Sequence, residues 1–202
     1  MPRHFNWRTV AKYKMYEKKF KRPIDIAISS VAIIILSPVI FLIGALIKII
    51  DPGPIIFKQS RVGRDGKIFT FFKFRSMPIN TGDIPSDKLS NISLTWVGRF
   101  IRRSNLDELP QLFNILRGDM SVVGPRPSII SQRELIDARR ENDALLCRPG
   151  LTGLAQVNSY DGMSVAEKAN WDGIYASNIT FRGDIRIILK TFSYLLKPPP
   201  MY

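Results

Sequence analysis

The strongest pattern along the chain is an apolar run that extends from Ile24 to Ile50 with few polar interruptions. A helix of about 22 residues, from Ile26 to Ile47, extends about 33 Å, which is enough to cross the hydrocarbon core of a bilayer. A secretory signal peptide fits poorly, because the run is too long and no small-residue cleavage site ends it. The pattern therefore predicts a helical segment that enters a membrane.

Two features of this run argue against a straight crossing. Pro38 removes a helix hydrogen bond in the middle of the run and predicts a kink, while Ser37 offers a hydroxyl to the carbonyl that the kink frees. Both flanks are basic, which under the positive-inside rule keeps both ends in the cytoplasm. We therefore predict a re-entrant helix-break-helix over residues 24–50 that turns at Ser37 and Pro38, with a true span and a buried core helix as alternatives. The flanking cations are Lys12, Lys14, Lys18, Lys19, Lys21 and Arg22 before the run, and Lys58, Arg61, Arg64, Lys67, Lys73 and Arg75 after it.

The rest of the chain predicts an α+β, mostly helical fold. Alternating apolar residues around an Asp65-Gly66 turn predict a small β-hairpin within residues 55–77. Residues 78–95 are polar and rich in turn formers, which is typical of a loop. Near the end, apolar residues recur at helical spacing among cations and predict an amphipathic helix, docked on the core or lying at a membrane interface. Those residues are Ile185, Ile188, Leu189, Phe192, Leu195 and Leu196.

This organisation divides the chain into three parts. We predict a basic N-terminal segment over residues 1–23, the membrane hairpin over 24–50, and a catalytic domain over 51–202 that lies on the cytoplasmic face with interfacial helices around its core.

Charge and composition limit the chemistry. The formal net charge of +13 predicts an anionic partner: nucleic acid, an anionic membrane surface or phosphate-bearing substrates. Cys147 is the only cysteine and His4 the only histidine, which excludes an internal disulfide and a Cys/His zinc site. A catalytic triad that needs histidine is nearly excluded as well. The chemistry must therefore rest on carboxylates, lysine and arginine, with room for an oxygen-bound metal such as Mg²⁺.

The densest cluster of such residues lies within residues 102–127, RRSNLDELPQLFNILRGDMSVVGPRP. The spacing of Leu109, Leu112, Phe113 and Leu116 predicts a helix that buries this apolar stripe. Because proline is tolerated in a first helical turn, we expect this helix to begin near residue 106 or shortly after and to end near residue 118. That prediction places Asp107 and Glu108 at the helix N-terminus, where negative charge and phosphate are both favoured. Acids at such a position are also ordinary capping residues, so the pair alone decides nothing.

Arginines near this acidic pair strengthen the functional interpretation. Arg102 precedes the acids, Arg126 lies in a Gly-Pro-Arg-Pro loop, and Arg148 is followed by Pro-Gly. Prolines restrict the backbone around Arg126 and Arg148, which lowers the entropy lost when a guanidinium binds phosphate. A single arginine is more often a solvated surface residue, but two arginines beside fixed prolines favour a phosphate site.

These residues carry a resemblance to a known family. The Ser-Pro apolar segment, KFRSM at 73–77, SNLDELPQLFNILRGDMSVVGPRP at 104–127 and RPGLTGLAQVN at 148–158 resemble the monotopic phosphoglycosyl transferases, bacterial sugar transferases that start lipid-linked glycan assembly. The likeness runs from about residue 16 to about residue 196. Residues 77–96 and the end of the chain match poorly, so the sugar stays open.

The resemblance implies a reaction and a place for it. A sugar 1-phosphate passes from a UDP-sugar to polyprenyl (undecaprenyl) phosphate at the cytoplasmic face of the bacterial inner membrane, whose anionic lipids suit the basic flanks. Asp107 is implied as the nucleophile and Mg²⁺ ligand, and Glu108 as a base or acceptor-positioning group. Substrate and phosphate contacts are implied for Lys73, Arg102, Arg126, Arg148 and Gln156. Structural support is an alternative role for Asn114, Asp119 and Gln156. Asn114, Asp119 and Asp172 are weaker candidates.

Two other classes of protein stay open at this point. The charge and runs such as FTFFKFRSM are compatible with a basic nucleic-acid-binding protein, although the apolar segment argues against it. A non-catalytic membrane scaffold would tolerate replacement of both acids. The oligomeric state is not indicated by any pattern in the sequence.

Overall fold

The computed structural model describes residues 15–78, 94–159 and 163–195. The described chain is mostly helical and contains two small sheets, which confirms the predicted fold class at this level. Residues 1–14 of the predicted basic segment, nearly all of the predicted loop over 78–95, and Leu196 lie outside the described residues.

The first described element is a single turn of π-helix at Tyr16–Phe20. The α-helices are α1 (Lys21–Ile50), α2 (Trp96–Arg103), α3 (Gln111–Arg117), α4 (Arg133–Glu141), α5 (Leu154–Val157), α6 (Val165–Ser177) and α7 (Phe181–Leu195). The strands are β1 (Ile56–Val62), β2 (Ile68–Phe74), β3 (Ser121–Val123), β4 (Ser128–Ile129) and β5 (Gly150–Thr152). Short 3₁₀ turns occupy Arg64–Gly66, Leu106–Glu108 and Ala144–Leu146.

The predicted hairpin is present. β1 and β2 pair antiparallel from Ile56 opposite Phe74 to Val62 opposite Ile68. Asp65 and Gly66 adopt positive φ angles of 56° and 77° in the connecting turn, which is the conformation that an Asp-Gly turn favours. The short strand β4 joins the other edge of β1, so the sheet order is β2-β1-β4. This third strand was not predicted, since two residues carry no periodicity.

A second sheet brings two proline-containing loops together. β3 and β5 pair in parallel, Ser121 opposite Gly150 and Val123 opposite Thr152. A Cβ atom on Gly150 would lie 2.1 Å from the backbone nitrogen of Gly124, so only glycine permits this approach. The contact presses the Arg148-Pro-Gly segment against the Gly-Pro-Arg-Pro loop.

The long helix α1 runs through Pro38 without interruption, so the predicted break into two helices is not seen. Pro38 cannot donate to the carbonyl of Ile34, and the Ser37 hydroxyl donates to that carbonyl at 2.8 Å instead. The predicted rescue of the freed carbonyl is thus confirmed. This hydrogen bond replaces the one that Pro38 cannot make, and the re-entrant path stays a prediction.

One face of α1 packs on the rest of the protein along most of its length. Asp25, Ser29, Ile43, Gly44 and Ile47 are buried on it. The second half of the helix packs on Phe74 of β2 and on Val97 and Ile101 of α2, whereas Ala32 and Ile33 border a separate core around Ile115 and Met120. The opposite face is apolar and exposed, and by length and composition the helix could cross a membrane.

Candidate active site

Asp107 and Glu108 lie in a short 3₁₀ turn, Leu106–Glu108, between α2 and α3. Asn105 enters this turn in the left-handed conformation, with a φ of 55°, which asparagine tolerates better than most residues. The amides of Glu108 and Leu109 then donate to carbonyls three residues earlier. Helix α3 begins only at Gln111, so the prediction that the acids occupy its own first turn is wrong. They precede that helix in a turn of their own.

Asp107 is buried and forms an ion pair with a strand residue. Its side chain is only 3% exposed, and its Oδ2 lies 2.7 Å from Nζ of Lys73 near the end of β2. The same ammonium lies 3.5 Å from Oε1 of Glu108. A single lysine therefore neutralises part of the charge on both acids.

Arg126 binds the second acid from the opposite side. Its Nη2 donates to Oε1 of Glu108 at 2.6 Å and its Nη1 faces Oε2 at 3.4 Å, which is the two-point geometry that guanidinium and carboxylate favour. Arg126 remains 43% exposed at its side chain, so it can meet a substrate from solvent. The structure thus joins four of the predicted site residues, Lys73, Asp107, Glu108 and Arg126, in one cluster.

The two carboxylates have opposite electrostatic environments. Burial raises the pKa of Asp107, the Lys73 ammonium opposes this, and the charge of Glu108 raises that pKa further. Burial would also raise the pKa of Glu108, but the charges of Arg126 and Lys73 outweigh it and lower that pKa to about 2. Glu108 is therefore a stable anion, whereas Asp107 holds a less well solvated charge.

Gln111 completes the cluster and was missed by sequence reasoning. It begins α3, three residues after Glu108, and is buried. Its amide also contributes to lowering the pKa of Glu108, which places it beside that carboxylate. Within the described residues, neither its Nε2 nor its Oε1 has a partner in hydrogen-bond geometry. The predicted burial of the whole apolar stripe is wrong, because Phe113 is 45% exposed and α3 buries Gln111, Leu112, Asn114 and Ile115 instead. The position of Gln111 next to Leu112 was the available signal.

A second charged pair lies behind Arg126. Arg139 of α4 donates from Nε and Nη2 to Oδ2 of Asp172 in α6, at 2.8 and 2.6 Å, and both side chains are buried. Its remaining terminal nitrogen donates to the carbonyl of Arg126 at 2.8 Å. Asp172, a weaker candidate from the sequence, thus pairs with an arginine that the sequence did not single out.

Comparison with known proteins assigns this arrangement to a family. A family model described as bacterial sugar transferase matches residues 16–198. The chain belongs to the bacterial sugar transferase family. Membership favours a transferase over the nucleic-acid-binding alternative, and it confirms the family that the motifs predicted.

Two curated relatives of this sugar transferase are named for their action on undecaprenyl phosphate. It is 40% identical, over 85% of its length, to a UDP-glucose:undecaprenyl-phosphate glucose-1-phosphate transferase from Klebsiella pneumoniae. It is 37% identical, over 94% of its length, to an undecaprenyl-phosphate galactose phosphotransferase from Salmonella typhimurium. The chain spans 39% and 43% of those two proteins, less than half of each. It also covers 83% of the exopolysaccharide production protein ExoY from Rhizobium meliloti, at 37% identity over 85% of its own length.

Three polar candidates of the sugar transferase make contacts within the fold. Asn114 is fully buried and binds the outer edge of β2, where its amide accepts from the Phe72 nitrogen at 3.0 Å and donates to the Thr70 carbonyl at 2.7 Å. Asp119 accepts from Asn114 at 3.3 Å. Gln156 donates to the Leu151 carbonyl at 3.1 Å. These contacts match the role of structural support.

Two predicted arginines of the sugar transferase are not joined to the acids. Arg148 donates to the carbonyl of Gly118, just beyond the C-terminal end of α3, whereas the acids precede the N-terminus of that helix. Burial and the charges of Arg64 and Arg22 lower the pKa of Arg148. Arg102 lies in the last turn of α2, and no ion pair joins it to Asp107 or Glu108 in the described chain.

The acidic pair fits a magnesium ion that is bound jointly by carboxylates of the protein and by phosphates of the substrate. No group of three metal-binding side chains occurs within the residues that the structure describes. Mg²⁺ needs no such group, because it is often held by one or two carboxylates together with substrate phosphates and water. Asp107 and Glu108 supply two adjacent carboxylates, which suits an ion that arrives with a diphosphate.

Proposed function

We propose that the chain transfers a sugar 1-phosphate from a UDP-sugar to undecaprenyl phosphate, in an early membrane step of bacterial polysaccharide synthesis. The observation that carries this proposal is the buried Asp107, paired with Lys73 at 2.7 Å and adjacent to the Glu108–Arg126 pair, within a bacterial sugar transferase. The names of its relatives support UDP-sugar donors and the undecaprenyl phosphate acceptor.

Asp107 acts as the nucleophile in this proposal. One of its oxygens forms a bond to the phosphorus that carries the sugar, and the bond from that phosphorus to the bridging oxygen breaks, so that UMP leaves with the electron pair. A phosphate oxygen of the lipid acceptor then attacks the same phosphorus. The bond to Asp107 breaks, the free carboxylate returns, and the lipid carries the diphosphate sugar.

Burial suits Asp107 to this role. A carboxylate that has lost most of its water is a stronger nucleophile than a fully hydrated one, and the raised pKa of Asp107 reports the same loss of solvation. Lys73 keeps the group ionised enough to react and faces the negative charge of an approaching phosphate. Burial thus makes the Asp107 carboxylate more reactive, and the ion pair with Lys73 opposes the protonation of Asp107 that burial favours.

Glu108 is better suited to hold Arg126 than to abstract a proton. A carboxylate whose pKa is lowered to about 2 is a weak base at neutral pH. An acceptor phosphate near neutral pH is largely deprotonated already and needs little help from a base. We therefore assign Glu108 to orienting Arg126, whose exposed guanidinium binds a phosphate of the donor or the acceptor.

Asp107 would hold Mg²⁺ together with the donor diphosphate. Glu108 would supply a second carboxylate next to the ion. When bound there, the ion neutralises charge that develops on the leaving UMP.

The lipid acceptor requires a membrane surface, and the exposed apolar side chains of the protein supply one. On α1 the exposed residues include Ile34, Ile35 and Phe41, the last of which is 80% exposed. Phe181, Ile185, Leu189 and Phe192 form an exposed stripe at helical spacing on α7. We propose that these faces contact the cytoplasmic leaflet of the inner membrane, where the exposed cations of α7 meet anionic lipids.

The experiment that tests this function uses the purified full chain in detergent with UDP-glucose or UDP-galactose. Donor alone should give a phosphosugar adduct on Asp107 in peptide mass spectrometry, and added undecaprenyl phosphate should remove the adduct and release UMP in multiple turnovers. Asp107→Asn should abolish both signals, whereas Asp137→Asn, an exposed acid on α4, should leave them unchanged. Undiminished UMP release from Asp107→Asn would refute the nucleophile assignment.

A further inference from the structure

A buried ion pair between Arg139 and Asp172 contacts the loop that carries Arg126. Arg139 and Asp172 are 4% and 1% exposed at their side chains, and they lie on α4 and α6. Two nitrogens of Arg139 converge on one oxygen of Asp172, at 2.6 and 2.8 Å. This double contact fixes the plane of the guanidinium, so the direction of its third N–H group is fixed as well.

That third group meets the backbone of the loop. Nη1 of Arg139 donates to the carbonyl of Arg126 at 2.8 Å. Pro125 and Pro127 already restrict the loop, and the residue before a proline has a narrow choice of backbone angles. Arg61 donates to the next carbonyl, that of Pro127, at 3.0 Å. Few degrees of freedom remain, so one hydrogen bond from Arg139 is enough to set the peptide after Arg126.

The side chain of Arg126 connects this part of the loop backbone to the acidic cluster. Arg126 leaves the loop and binds Glu108 with two nitrogens, beside Asp107. We infer that Arg139 and Asp172 are a positioning pair for the transfer reaction: Asp172 orients Arg139, and Arg139 fixes the backbone from which Arg126 reaches Glu108 and the substrate phosphate. This inference rests on the proposed function.

The simpler explanation is that the pair only joins α4 to α6. Buried ion pairs contribute little net stability compared with apolar side chains of the same size, so packing alone gives no reason for this choice of residues. An arginine is needed only if both Asp172 and the loop carbonyl must be bound at once. Lysine has one nitrogen and cannot reproduce that geometry.

The first test is a double-mutant cycle with Arg126, measured as UMP release by the full chain. Arg139→Lys keeps the charge beside Asp172 and should lower kcat by about 10- to 100-fold, because small displacements of a catalytic group cost about this much. In an Arg126→Ala background the same change should add less than about a twofold loss, since its effect passes through Arg126. Arg140→Lys, an exposed neighbour on α4, is the matched control and should keep wild-type kcat. Wild-type kcat in Arg139→Lys, or losses that multiply in full with those of Arg126→Ala, would overturn the inference.

The second test does not depend on activity. Hydrogen exchange over residues 121–129 should become about tenfold faster in Arg139→Lys and stay unchanged in Arg140→Lys, with α4 and α6 themselves protected as in the wild type. Unchanged exchange in that segment would also overturn the inference. If Arg139→Lys does not fold, Asp172→Asn, which keeps an acceptor for Arg139, replaces it in both tests. Absence of UMP release by the wild type would refute the proposed function alone, because the exchange measurement still decides whether Arg139 positions the loop.

Discussion

Lys73 lies on a strand and Asp107 in a turn 34 positions later in the sequence, and their side chains form an ion pair at 2.7 Å. The hairpin places Lys73 near the end of β2, where its ammonium contacts both acids of the turn. This ion pair links the predicted β1–β2 hairpin to the proposed nucleophile. Loss of the ion pair should therefore lower the rate of the transfer reaction more than it lowers the stability of the fold.

We expect Lys73→Met to reduce formation of the Asp107 adduct by about 100-fold, a magnitude typical for loss of one group that stabilises developing charge. Without the ammonium, burial and Glu108 both act to raise the pKa of Asp107, so less of the acid is ionised at neutral pH. Rapid-quench mass spectrometry with donor alone measures the rate. Lys67→Met, an exposed lysine at the end of the same hairpin, should leave it unchanged. Equal rates in the two variants would contradict a role for Lys73.

Much of this site could be predicted because its parts are local. Asp-Gly between alternating apolar residues specifies a hairpin turn, and the acids before an apolar helical stripe had to lie near the start of α3. The start of that helix was predicted too early, because the left-handed Asn105 and the 3₁₀ hydrogen bonds give the acids a turn of their own. No residue pattern distinguishes these two ways of beginning a helix.

The remaining contacts depend on long-range packing. Arg126 could have faced solvent, but the close approach of its loop to Gly150 and the hydrogen bond from Arg139 to its carbonyl both depend on packing that directs it to Glu108. Arg148 has a similar sequence setting and instead binds the Gly118 carbonyl. Proline neighbours indicated rigid loops in both cases, but they carried no information on the direction in which each arginine points.

Asn114 should be a stability residue. Its side chain binds both Thr70 and Phe72 along the outer edge of β2, so Asn114→Ala leaves a strand amide and a carbonyl without a partner. We expect the free energy of unfolding to fall by about 1–3 kcal/mol, since two hydrogen bonds are lost and each contributes about 0.5–1.5 kcal/mol. Chemical denaturation in detergent measures this. Asn170→Ala, on the exposed face of α6, is the control, and a loss no larger than in that variant would contradict the assignment.

Cys147 should resist alkylation in the folded protein. Burial raises the pKa of its thiol to about 12, so the reactive thiolate is scarce at pH 8 and becomes abundant only as the pH approaches that value. Intact-mass analysis should show slow reaction with iodoacetamide at pH 8 for the native chain. The chain unfolded in guanidinium, whose thiol has a pKa of about 8.5, should react much faster. Similar rates for the native and unfolded chains would show that the thiol is not protected.

The path of α1 relative to the membrane gives the last prediction. The buried Asp25 near its start accepts from the amide of Val122 at 3.0 Å, and Ile47 near its end packs in the cluster around Phe74. Both ends of the helix thus contact the same domain, which a straight crossing would not allow without breaking one set of contacts. We expect tags at both termini to be protected from protease in intact spheroplasts and cleaved after lysis. Cleavage of the N-terminal tag in intact spheroplasts would mean that α1 spans the bilayer, and that its contacts with β3 are broken there.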